Sequence, residues 1–317
     1  MKNKILNSGF GIGNVIFVAA LIIALPLRIY QYSSGVIEPV TGFFATNDFS
    51  VYVLYGVIAL AAVASVALGF VNRKKLAYET SAQKNPLLGT ASAIAALSII
   101  LDAVFNINII GTLETGVTSA QPSTEKTAYY VVIAQAIVSL LAALFFAVLC
   151  INSFMGKTLA SELRILSLTP VLWTMLRMVS RFMRTISFVR VSELMFEMFM
   201  LAFLIMFFMN FAQCNSKVND ENCAWKLAAY GLPAALLALV CFVPREILLL
   251  AGKGDIIYTE SVTEFSDLAA ALFVIATVLT KLTVKAPEST DAESSDSTAP
   301  ETDDASVNEI TEQKTEE

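Results

Sequence analysis

PVLWTMLRMVSRFMRT, residues Pro170 to Thr185, puts three arginines into a run otherwise apolar enough to cross a bilayer. Whether this stretch crosses or lies on the surface decides between two folds. Its surroundings set the class: the 317-residue chain is 56% hydrophobic and 15% charged, and its apolar residues come in blocks of about 20, the length a helix needs to span ~30 Å of hydrocarbon. The blocks predict an all-α polytopic transmembrane bundle of eight hydrophobic helices over residues 9–29, 50–70, 86–110, 128–153, 164–186, 192–213, 225–243 and 262–282. The alternative is seven crossings plus one interfacial amphipathic helix at 164–186.

Residues 286–317 differ in kind, with 11 acidic residues, one lysine and no aromatic side chain. Such a segment cannot bury enough apolar surface to offset its ordering entropy, so it reads as a disordered acidic tail. The tail accounts for the low pI. Without it the net charge of -6 becomes +4, and the acidity says nothing about a nucleic-acid or acidic-substrate role for residues 1–285, the membrane bundle. The expected partner is the lipid bilayer, with no nucleic acid.

Lys2 and Lys4 precede the first block, and the apolar core runs on to Leu27 without a small-residue cleavage pattern. We read it as a retained anchor with a cytoplasmic N-terminus. The cluster NRKK at Asn72 to Lys75 and the later Lys157 and Arg164 agree with that orientation.

The residue inventory narrows the chemistry. No histidine occurs anywhere, which removes imidazole metal sites, His-dependent triads and histidine proton relays. GKGD at Gly252 to Asp255 matches the GxGD string of intramembrane aspartyl proteases, but such enzymes need a second facing carboxylate to share the proton. A glycine-built turn is the simpler reading. No cofactor is expected, and an intramembrane enzyme is the least favoured function.

Thr174, Arg177, Arg181 and Arg184 fall on one stripe at helical spacing, and Leu172, Trp173, Leu176, Val179 and Met183 cover the rest. An interfacial helix would show this pattern, and so would a crossing helix whose stripe faces the bundle. Unpaired near mid-depth, Arg177 would cost ~3 kcal/mol on insertion scales. Candidate partners exist in other blocks: Asp102 with Asn106 one turn on, Gln135, and the pair Glu193 and Glu197. With eight crossings these charges share one depth; with seven, Asp102 is stranded. Because buried charge without a partner is the costlier arrangement, we favour eight, which also places the acidic tail in the cytoplasm. Cys214 and Cys223 then bracket a cytoplasmic connection and are expected as thiols, no disulfide being formed; an extracytoplasmic connection would let them pair.

The strings PVLWTMLRMVSRF and SELMFEMFMLAFLIMFFMNFAQ, with a short final span before the acidic tail, resemble a family of uncharacterised multi-pass membrane proteins from Gram-positive anaerobic bacteria. The resemblance covers roughly the last half of the chain. It implies a bacterial source and a helical membrane fold, and carries no known activity.

Two further signals concern packing. Ala61, Ser65 and Gly69 recur every four residues, as do Ser139, Ala143 and Ala147, a spacing that lets helix backbones approach within a bundle. Pro233 and Pro244 predict a kink and then a break, after which REILLLAG would lie along the interface. The favoured functional reading is a structural or accessory membrane protein whose charges fix helix register. The alternative is a binding or transport protein for a small anionic solute or lipid headgroup; a membrane-protein partner fits either.

Overall fold

The computed structural model describes residues 11–38, 44–45, 48–79, 83–116, 123–157, 161–184, 191–216, 220–253 and 265–284. The acidic-tail residues and Asp255 of the GKGD string lie outside this set. Eight α-helices are described: α1 Gly11–Ser33, α2 Phe49–Val71, α3 Pro86–Gly116, α4 Ser123–Met155, α5 Thr169–Arg184, α6 Val191–Ser216, α7 Asp220–Leu250 and α8 Phe265–Lys281. Six of them (α1, α2, α3, α4, α6 and α7) are long and apolar enough to cross a membrane. Their outward faces carry large apolar side chains such as Ile22, Leu60, Leu97, Leu144 and Phe199, the surface a lipid environment asks for.

Short-range contacts sort the helix ends into two levels. Strands β1 (Leu76–Tyr78) and β2 (Leu282–Val284) pair antiparallel, bringing together the C-terminal ends of α2 and α8. At that end Tyr78 bonds Asn215 of α6 at 3.1 Å, Gly69 of α2 lies against Trp225 and Ala229 of α7, and the Asn85 amide bonds the Ser153 carbonyl of α4. We call this the hairpin end. At the opposite end the chain after α1 turns at Gly35, with φ +73, and Ile37 packs with Tyr32 and with Leu248 of α7.

Between Met155 and α6 the helix type changes. Residues Ser161–Leu168 form a 3-10 helix that leads directly into α5. The switch falls between Leu168 and Thr169, one residue before Pro170, which has no N–H for the preceding turn and is accommodated in the first turn of the new helix. Hydroxyl bonds from Ser167 to the Arg164 carbonyl (2.5 Å) and from Thr169 to the Leu166 carbonyl (2.8 Å) occupy the tightened turn. Thr169 Oγ1 also reaches the Leu141 carbonyl, well inside α4. At 2.0 Å per 3-10 residue and 1.5 Å per α residue the rod Ser161–Arg184 is about 40 Å long.

The centre is aromatic. Phe145 and Phe146 of α4, Phe207, Phe208 and Phe211 of α6 and Phe273 of α8 are fully buried, with ring centroids 4.9 Å apart for Phe146 and Phe273 and 5.4 Å for Phe211 and Phe273. Gly231 of α7 makes room for them: a Cβ there would meet the Phe207 ring and Val274 at 2.9 Å. The small-residue stripes also face inward, Ala61, Ser65, Ser139 and Ala143 all being buried. The expected break at Pro244 is corrected: α7 runs through both prolines to Leu250, because Arg245 and Leu248 are anchored by α1 and α6 and hold the last turns in the bundle.

Candidate functional site: a buried charge belt

The buried charges gather at one level, toward the end opposite the hairpin. Arg177, 3% exposed, meets Asp267, 4% exposed, with Nη1 to Oδ1 at 2.5 Å. One turn on in α5, Arg181 Nε lies 3.6 Å from Glu197 Oε2 of α6. Arg245 of α7 donates from Nη2 to Glu193 Oε2 at 3.1 Å and approaches Glu197 Oε1 at 3.7 Å. The Tyr32 hydroxyl of α1 donates to the second Glu193 oxygen.

Arg28, 2% exposed, completes the belt. Its Nη1 donates to Gln31 Oε1 at 3.2 Å and its Nη2 to the Tyr32 hydroxyl at 3.3 Å. The guanidinium lies over the rings of Tyr32 and Phe196, 4.8 and 5.1 Å from their centroids. Among the described residues no carboxylate comes within 4.0 Å of it. Its counter-charge is Glu193 at one remove, through a phenol that accepts from one side and donates to the other. Arg177 is likewise 5.5 Å from the Trp173 ring centroid, and such faces attract cations most where water is excluded.

Of the residues singled out in the sequence, the structure brings Arg177, Arg181, Glu193 and Glu197 into this belt. Asp102 is half-buried on α3 and Gln135 buried on α4, with Gln135 Oε1 making no hydrogen bond among the described residues. Asn106 and Arg184 lie on described helices, but their side chains fall outside the described set. Arg28, Tyr32, Arg245 and Asp267 were missed. Each sits at a charged edge of an apolar block, where hydropathy marks a boundary, and a partner on another helix is what makes it interior.

The expectation of free thiols at Cys214 and Cys223 is also corrected. The structure joins them in a disulfide at the hairpin end, with Cα atoms 5.7 Å apart. The end of α6 and the start of α7 hold the two residues within disulfide reach without moving the backbone.

These features define a multi-pass helical membrane protein with buried, salt-bridged charges. No family model, curated protein or solved structure matches the chain, so the resemblance to proteins of Gram-positive bacteria and the source it implies are taken no further.

Proposed function

We propose that the protein is a structural or accessory component of the membrane, and that its charge belt fixes the register of the helices. One observation carries this: each of the carboxylates Glu193, Glu197 and Asp267 is met by an arginine from a different helix. With Tyr32, these ties span α1, α5, α6, α7 and α8. Sliding or rotating any one of these helices strands a charge in a low-dielectric interior, which is strongly unfavourable, whereas apolar packing alone discriminates weakly between registers.

The same reading holds that Ser161–Arg184 and α8 cross the membrane, giving eight crossings with the hairpin end cytoplasmic. The rod is long enough, and Arg177 and Arg181 find carboxylates at depth on α8 and α6. Outside the belt, Arg73 to Lys75, Lys84, Lys157, Lys226 and Lys281 lie toward the hairpin end, against Lys126, Arg184 and Lys253 toward the other. That asymmetry follows the positive-inside rule. A persistent disulfide argues for the opposite orientation, since cytosolic thiols are kept reduced. The charges carry more weight: they are spread over several connections, while the disulfide is a single bond between sulfurs that the fold brings together in either oxidation state.

A binding site for a small anion or headgroup is the second reading, drawing on Arg28 and its indirect neutralisation. A double-mutant cycle separates the two. Arg177→Gln and Asp267→Asn should each destabilise the purified protein by roughly 3–5 kcal/mol, and the double variant should recover part of the loss because no unpaired charge remains. Additive losses would sink the register reading. A several-degree thermal stabilisation by one anion, abolished by Arg28→Gln, would favour the binding site.

A further inference from the structure

At the hairpin end two cations rest on an aromatic pair. Gly69 lets α2 approach α7, and Trp225 packs against it, with ring carbon Cε3 3.4 Å from where a Cβ would stand. Phe70 meets Trp225 edge to face, centroids 5.9 Å apart and planes at 83°. The Arg73 guanidinium lies 4.6 Å from the Phe70 centroid, and Lys226 Nζ lies 5.8 Å from the Trp225 centroid. Neither cation has a carboxylate within 4.0 Å among the described residues. The group sits where two apolar spans end, Phe49–Val71 and Cys223–Leu250.

We propose that Phe70, Arg73, Trp225 and Lys226 form a binding site for the headgroup of an anionic phospholipid. Aromatic rings settle at the membrane–water boundary, the level of lipid phosphates. A guanidinium held over a ring has its fork pre-oriented for bidentate contact with a phosphate. Two cations with no carboxylate within 4.0 Å among the described residues call for a headgroup of net negative charge. A zwitterionic lipid brings its own ammonium and supplies none. The exposed side chains of Phe70 and Val71 beside the charges give acyl chains a surface, which a soluble phosphate would not use. This site is separate from the charge belt and does not depend on its role or on the orientation of the protein.

The test is thermal unfolding of the detergent-solubilised full chain titrated with phosphatidylglycerol, phosphatidylcholine of the same acyl chains, or inorganic phosphate, with native mass spectrometry to count retained lipids. Phosphatidylglycerol should raise the midpoint by several degrees and stay bound, while phosphatidylcholine and phosphate should do neither. The paired variant Arg73→Gln with Lys226→Gln should lose most of the shift, and Lys84→Gln with Lys157→Gln, at the α3–α4 side of the same end, should keep it. Arg73→Lys keeps charge without the fork and should give an intermediate shift, which decides the matter if the double variant does not fold. Equal stabilisation by phosphatidylcholine, a response to phosphate matching the lipid, or a full response in the Arg73→Lys and paired Gln variants would each overturn the proposal.

Discussion

Tyr32 is where the belt joins α1 to the rest, and its position makes the phenol more than a packing group. It accepts from Arg28 and donates to Glu193, so Tyr32→Phe keeps the ring and its cation–π contact while leaving a buried guanidinium and a half-buried carboxylate each with one partner fewer. Removing one side of a buried bond to charged groups costs about 1–3 kcal/mol or more. Equilibrium unfolding of the purified variant should show a loss of that order, and an unchanged midpoint would mean that Arg28 is neutralised by another route. Side-chain periodicity already put Arg177 and Arg181 on one stripe, because that is a property of a single helix. Asp267 was not legible as the partner of Arg177, since pairing between distant segments depends on which helices become neighbours.

Helices show the same division. Six of the apolar blocks fall on helices long and apolar enough to cross a membrane, because a lipid-facing helix must announce its length in hydropathy. α7 departs most, starting at Asp220 where the pattern predicts 225 and ending at Leu250 beyond Pro244. Proline withdraws one hydrogen bond, but a last turn held by Arg245 and Leu248 tolerates that loss. Glycines within these helices separate by what stands opposite them. At Gly231 an added Cβ meets Phe207 and Val274 at 2.9 Å, whereas at Gly56 it meets nothing within 4 Å. Gly231→Ala should therefore destabilise by about 1–3 kcal/mol through overpacking. Gly56→Ala should be neutral or gain up to ~1 kcal/mol in helix propensity. Thermal unfolding of both variants checks the contrast, and equal effects would mean that the α6–α7–α8 seam is looser than its contacts imply.

For the whole molecule the open variable is which ends share a side of the membrane, and the position of Ser161–Arg184 settles it. If that rod crosses, Lys75 and Lys157 lie on one side and Lys253 on the other. If it lies on the surface, the later helices invert and all three fall on the same side. Cysteine scanning distinguishes the cases: Lys75→Cys, Lys157→Cys and Lys253→Cys, each labelled with an impermeant maleimide in intact and in opened cells. We expect Lys253→Cys to react in intact cells and the other two only after opening. Joint protection of all three would return the arginine helix to the surface. Labelling of Lys75→Cys and Lys157→Cys in intact cells, with Lys253→Cys protected, would keep eight crossings and reverse the orientation. The native pair gives an independent readout, because its state follows the compartment. The structure holds Cys214 and Cys223 as a disulfide; thiols recovered by alkylation before lysis, closing to that disulfide only once the protein is purified in air, would put the hairpin end on the reducing side, as its charges do. A disulfide already present in acid-quenched cells would place the hairpin end on the oxidising side, against the direction in which its lysines and arginines point.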